Sequence, residues 1–175
     1  MMGRTHALAG VACLWALQIL PSLSAPELLA PLSALAAVGA LLPDLDAAHS
    51  QIKTLSIGGI TPFAPLSALL SRTLGHRGLL HSALGWSIAT LLFLPLALFV
   101  SFSIPLALSL GYASHLATDA CTKSGIPFLY PRRKRYHLLP RPLRLTTGSQ
   151  AEDAVFALLA VLVMGLLLRQ LSLLA

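Results

Sequence analysis

The stretch Gly75-His76-Arg77-Gly78-Leu79-Leu80-His81-Ser82 sets two imidazoles and a guanidinium among glycines, just before an apolar run that begins at Ala83. Imidazole binds metal ions and guanidinium binds anions, and both are costly near hydrocarbon unless partnered. His76 and His81 are five apart, which does not suit one helix face, but Gly75 and Gly78 allow a loop that aims both at one point. More donors stand at the ends of other apolar runs: His6, then Asp44 with Asp46 after Pro43, then His115 with Asp119. The last two are four apart and share a helix face if the helix continues that far. His6, Asp44, Asp46, His76, His81, His115 and Asp119 offer nitrogen and oxygen without thiolate. Such a set suits roughly one to three divalent ions, zinc or manganese, with about two as the central expectation. Ions held this way lower the pKa of a bound water to about 7 and clamp both oxygens of a displacement, the layout that hydrolyses phosphate esters. Arg77 would then steady a phosphate or its developing charge, and Arg77 and His81 are the catalytic candidates.

The elements that must position these groups are apolar. The chain has 175 residues, 56% hydrophobic and only 10% charged, with a mean hydropathy of +0.80. That composition excludes an ordinary soluble domain and predicts one membrane-embedded domain over residues 1–175. The pI near 10 does not argue for nucleic acid, because aromatic content is 6% and the basic residues lie in loops between apolar segments. Cys13 and Cys121 form neither a disulfide framework nor a paired metal motif and read as inert packing residues.

Five apolar runs follow. Ala7 to Leu23 is opened by Arg4-Thr5-His6, with Thr5 as N-cap; a cleaved signal peptide is the competing reading of this start. Leu28 to Leu42 ends at Pro43-Asp44-Leu45-Asp46 and is short for a full span, so a tilted or half-inserted hairpin stays open. Between Ala47 and Gly75, Thr61-Pro62 caps a short interfacial helix with Phe63, Leu66, Leu69 and Leu70 on one face. Ala83 to Ser103 is the most convincing span, kinked at Pro95, and Ile104 to Ala117 returns the chain. After a polar loop, Lys123 to Arg144, a capping box at Ser149-Gln150-Ala151-Glu152 opens the last run, Ala154 to Ala175. The predicted fold is all-α, an integral membrane bundle of about five apolar helices with a cytoplasm-facing polar site.

Counting crossings puts eleven of the twelve Lys and Arg on one side, together with all six histidines and five of the six acids. The positive-inside tendency makes that side cytoplasmic but does not require neutral imidazoles or carboxylates to gather there. A polar site does. Taken singly, several members have plainer readings: His49 and His137 as solvated residues, His6 as an interfacial one, Asp44 and Asp46 as turn residues, and Glu152 as the partner in the capping box. Arg132 to Arg135 reads as a topology signal that also attracts anionic lipid.

Leu42-Pro43-Asp44-Leu45-Asp46, the Gly75 to Ser82 element and Gly111-Tyr112-Ala113-Ser114-His115-Leu116-Ala117-Thr118-Asp119 resemble the signature of the LexA-regulated, inner-membrane metal-dependent hydrolase family, also called YdjM-like. Arg4-Thr5-His6, Gly125-Ile126-Pro127 to Tyr130-Pro131 and Thr147-Gly148-Ser149 to Glu152 are similar too, with Tyr130-Pro131 standing where many relatives would have Trp-Pro. The resemblance implies a membrane-embedded, metal-binding hydrolase, remotely similar to zinc-dependent phospholipases C and P1-type nucleases, with the seven residues named above as ligands. Two functions follow as expectations. One is an inner-membrane hydrolase acting on a phosphoester or ester bond, with membrane lipid as substrate or surface and no specific nucleic acid. The other is a non-enzymatic metal-binding membrane protein, a transporter or an assembly factor; a transporter needs a polar path, and the interiors of the apolar runs offer none.

Overall fold

The computed structural model describes residues 1–17, 28–46, 61 and 78–172. Among these residues the secondary structure is helical, with no strand. The helices are α1 (Gly3–Ala16), α2 (Leu29–Leu41), α3 (Ala83–Phe93), α4 (Leu96–Phe99), α5 (Ser103–Ala120) and α6 (Gln150–Ser172). Short 3-10 turns at Leu42–Asp46 and Leu79–His81 carry two of the chemically interesting stretches.

Over the described residues each apolar run becomes helix, with differences from expectation. Helix α1 starts at Gly3 with Met2 as an N-cap that makes no side-chain bond, so Thr5 lies buried in the first turn instead of capping it. The cause is an external hold on the helix start: the Met2 N–H donates to Glu152 Oε1 at 2.6 Å. The third run does not make one long span. The kink expected at Pro95 is there, because the proline lacks an N–H and its ring crowds the preceding turn, but α3 and α4 together end at Phe99, short of membrane length. Among the described residues, the helix long and apolar enough to cross a bilayer is instead the last, over Gln150–Arg169. The segment from Ala47 to Gly75, with its expected interfacial helix, lies outside the described residues except for Thr61, which is exposed.

Helix α2 packs along α5, with α1 against both and α6 against α1. Leu14 and Trp15 of α1, Leu32 and Ala36 of α2 and Ala107 of α5 form the apolar core. Small residues set the spacing. A Cβ on Gly111 would run into the Ala36 carbonyl, and one on Gly39 into the Leu108 carbonyl, so the two backbones touch. This is how helices associate where lipid removes the hydrophobic drive between them. Polar groups inside are satisfied locally: Trp15 Nε1 donates to Ser33 Oγ at 2.9 Å, and that hydroxyl donates to the Leu29 carbonyl at 2.6 Å.

The Leu79–His81 turn is pinned from two sides. Ser82 caps α3 by accepting from the Gly85 N–H at 3.1 Å while donating to the Leu79 carbonyl at 2.6 Å. Tyr112 of α5 donates its hydroxyl to the Leu80 carbonyl at 2.7 Å. Beyond α5 the polar loop folds back on the helix end, through Leu138 N–H to the Ala120 carbonyl at 2.9 Å and reciprocal Ile126 and Tyr136 backbone bonds of 3.1 and 2.9 Å.

Replacing Gly111 with Val is expected to force α2 and α5 apart and to cost about 1–3 kcal/mol or more. Thermal unfolding in detergent checks this, and Ser87→Val on the exposed side of α3 serves as the tolerated comparison.

Candidate metal centre

Three separate elements deliver imidazoles to one end of the bundle: α1 brings His6, the turn before α3 brings His81, and α5 brings His115. All three side chains are buried, as is Asp119, one turn beyond His115 on α5. Asp44 reaches the same point from the 3-10 turn after α2, and at 23% side-chain exposure it forms the accessible edge.

The imidazole protons are assigned by what the rings touch. His115 Nδ1 lies 2.7 Å from the Ala40 carbonyl, which can only accept, so Nδ1 carries the proton and Nε2 a lone pair. His6 Nδ1 lies 2.8 Å from Thr118 Oγ1, whose own hydrogen goes to the Ser114 or His115 carbonyl at 2.9 and 3.0 Å. Thr118 therefore accepts from His6, and His6 Nε2 also presents a lone pair. It does so buried and without a hydrogen-bond partner, 3.3 Å from Asp119 Oδ1. A lone pair facing a carboxylate in a buried site is stabilised by a cation, and the Met1 ammonium against Asp119 Oδ1 supplies part of that here. An N–H held by a carbonyl or hydroxyl on the far side of a ring is the usual way a ligating histidine is oriented.

The separations fit that reading. His81 Nε2 stands 3.3 Å from His115 Nε2, 3.6 Å from Asp44 Oδ1 and 3.8 Å from Asp119 Oδ2. His115 Nε2 stands 3.9 Å from Asp44 Oδ1 and 3.8 Å from Asp119 Oδ2. Tetrahedral ligands at bond lengths of about 2.0–2.2 Å lie about 3.3–3.6 Å from one another, so a small inward adjustment closes the set. Donors of His6, His115 and Asp119 form one group within 4.8 Å, and those of Asp44, His81 and His115 another. Asp119 turns Oδ2 toward His81 and His115, whereas Oδ1, on the His6 side, is also taken by the Met1 amino group. The rings of His6 and His115 stack at 3.7 Å, and the Met1 amino group lies against Asp119 Oδ1. Burial alone would raise the Asp44 carboxyl, but the hydrogen bond from His81, together with the charge of His115, His6 and His81 in their protonated forms, outweighs it and holds the group at about 2. Asp44 is thus a carboxylate at neutral pH, ready to ligate.

Of the residues singled out in the sequence, His6, Asp44, His81, His115 and Asp119 come together. His76, Arg77, His49 and the Asp46 side chain lie outside the described residues. His137 is elsewhere, its Nε2 3.3 Å from the Lys123 carbonyl. Glu152 is only half of a capping box. Ser149 Oγ does accept from the Glu152 N–H at 3.4 Å, but the carboxylate takes the N–H groups of Met2 and Gly148, at 2.6 and 2.7 Å, and so clamps the start of α6 to the start of α1. Two supports escaped the sequence reading. Thr118, a hydroxyl between His115 and Asp119 on the same helix, was a visible signal; the Ala40 carbonyl had none.

Comparison with known proteins shows the family of the chain. The family described as YdjM inner membrane protein matches residues 1–173. The chain belongs to the YdjM family. Over 157 residues, 90% of the chain and 88% of the relative, it is 38% identical to a Bacillus subtilis (strain 168) protein called uncharacterized protein YvsG. It is 34% identical over 76 residues to the inner membrane protein YdjM of Escherichia coli (strain K12) and to its Shigella flexneri counterpart; the match covers 42% of this chain and 39% of each relative. No solved structure matches the chain. YdjM membership groups the chain with inner membrane proteins.

If Thr118 orients His6, Thr118→Val is expected to weaken metal affinity about 10–100-fold, whereas Thr118→Ser keeps the acceptor and the affinity. Titration of the metal-free protein with zinc, followed by calorimetry, reads the difference.

Proposed function

We propose that this chain is a multi-pass inner-membrane, metal-dependent hydrolase that cleaves a phosphoester or ester bond, with a membrane lipid as the substrate class. The observation that carries the reading is the convergence of His6, His81 and His115 with Asp44 and Asp119, with the His6 and His115 protons turned outward. A divalent ion bound there, zinc or manganese, supplies Lewis acidity and a nucleophile at neutral pH. A second ion, were one held by His6 and Asp119, would supply the two-metal chemistry that clamps both oxygens of a displacement.

The protein's own contribution is positional. Thr118 and the Ala40 carbonyl fix the His6 and His115 rings, the apolar core behind them excludes water, and Asp44 marks the side from which a substrate reaches the cluster. Arg77, two residues before the described turn, is assigned to the phosphate or its developing charge. Membrane embedding rests on α6, whose apolar residues Leu158, Val161 and Met164 are exposed, and on α3 and α4, where Leu92, Leu98 and Phe99 are exposed. The concentration of Lys and Arg on one side supports a cytoplasmic site.

A transporter would need charged or strongly polar groups along the bundle, yet among the described residues the buried polar side chains of α5 before the cluster are the hydroxyls of Ser103, Ser109 and Ser114. That favours chemistry at the helix ends over passage between them.

Reconstituted with zinc or manganese in vesicles of mixed phospholipids, the protein is expected to release hydrolysis products detectable by mass spectrometry. Chelation should abolish the activity, and His81→Ala or Asp44→Asn should lower it about 100-fold or more. Full metal occupancy without turnover of any phospholipid or model phosphodiester would overturn the enzymatic reading.

A further inference from the structure

A second feature lies on the opposite side of α5 from the metal centre. Ala113 and Ala117 of α5, Trp86 of α3, and Ile126, Phe128 and Tyr136 of the following loop line an apolar cavity of about 390 Å³. At about 100° per residue, Ala117 sits about 160° around α5 from both His115 and Asp119, and Ala113 about 160° from His115 and about 120° from Asp119, so none of the clustered ligands lines this space. Its walls are hydrocarbon and ring faces. The indole N–H of Trp86 points away to the Ser109 carbonyl and hydroxyl, each at 3.1 Å, and the Phe128 and Tyr136 rings meet edge to face at 6.4 Å. The volume lies within the range of small-molecule sites.

The chain enters one wall of this cavity directly from its densest run of positive charge. Arg132, Arg133, Lys134 and Arg135 are all exposed and end at Tyr136, and the Lys134 ammonium sits over the Tyr136 ring, 5.6 Å from its centroid. An apolar slot with the Lys134 cation over one of its walls, and three arginines beside it in the chain, matches a molecule that has a hydrocarbon tail and a negative head. Arg and Lys recognise phosphate at short range, and juxtamembrane basic clusters draw anionic lipid. Membership of an inner-membrane family puts such molecules in contact with the chain.

We propose that this cavity holds an acyl chain of an anionic phospholipid, with the lipid phosphate on Arg132, Arg133, Lys134 and Arg135, as a binding site separate from the metal centre. The site does not depend on the proposed hydrolysis.

Trp86 is a built-in reporter, because the other tryptophan, Trp15, is fully buried among α1 and α2. The test reconstitutes the full chain in vesicles whose phosphatidylglycerol or phosphatidylcholine carries brominated acyl chains, and measures tryptophan quenching. The expected result is half-maximal quenching at an about fivefold or more lower fraction of the anionic lipid. Changing Arg132, Arg133, Lys134 and Arg135 together to Gln should erase that preference, and Ala117→Phe, which fills the slot, should abolish the quenching that Trp86 reports. His81→Ala should leave both lipid responses as in the parent, which separates this site from the metal centre. Equal quenching by the two lipids in the parent, or a preference unchanged by the loop substitution, would overturn the proposal. The loop residues are exposed, so that second result stands even if Ala117→Phe fails to fold.

Discussion

The bond from His115 Nδ1 to the Ala40 carbonyl ties the packing of the bundle to its chemistry. It forms because α2 and α5 touch backbone to backbone at Gly39 and Gly111, where any side chain would meet a carbonyl of the facing helix. That contact brings the last turn of α2 within 2.7 Å of the ring and commits the ring's proton to the far side of the cluster. It also carries the chain into the Leu42–Asp46 turn, from which Asp44 reaches back to the imidazoles. Helix spacing, histidine tautomer and the position of a carboxylate are thus set by one contact between small residues.

The same end of the bundle concentrates a cost that the rest of the fold avoids. Three buried imidazoles and a buried carboxylate occupy a site backed by Leu, Ala and Trp side chains, where isolated polar groups are expensive. Hydrogen bonds on the outer side of the His6 and His115 rings satisfy half of each imidazole, and the inward nitrogens face carboxylate oxygens. Opposed acceptors of this kind are reconciled by a cation. The hold of Glu152 on the Met2 and Gly148 N–H groups brings the ends of α1 and α6 beside the cluster and closes it from that side.

The sequence made the ligands legible because their types are conspicuous against an apolar background. His115 and Asp119 read correctly as one helix face, since α5 runs on to Ala120, and Pro43 correctly marked a turn for Asp44. Helix starts and the long span were less readable. Thr5 looked like a cap because local chemistry favours it, but a tertiary bond from Met2 to Glu152 starts α1 earlier. The run from Ala83 to Ser103 is continuous in hydropathy and kinked at Pro95 as expected, yet its helices end at Phe99, so the membrane-length helix among the described residues is the one opened by Gln150. Thr118 could have been read as a ring-orienting hydroxyl from its place between two ligands. The Ala40 carbonyl could not, because a backbone acceptor leaves no trace in residue type.

On this reading His6, Asp44, His81, His115 and Asp119 form one metal centre. The most direct test is elemental analysis of the purified protein in detergent, beside Asp119→Ala, the residue whose two oxygens face both groups of donors. Roughly one to two equivalents of zinc or manganese per chain in the parent, lost in the variant while the helical content is kept, is the result predicted here. A parent protein that holds no divalent ion even after incubation with excess zinc and manganese would contradict it.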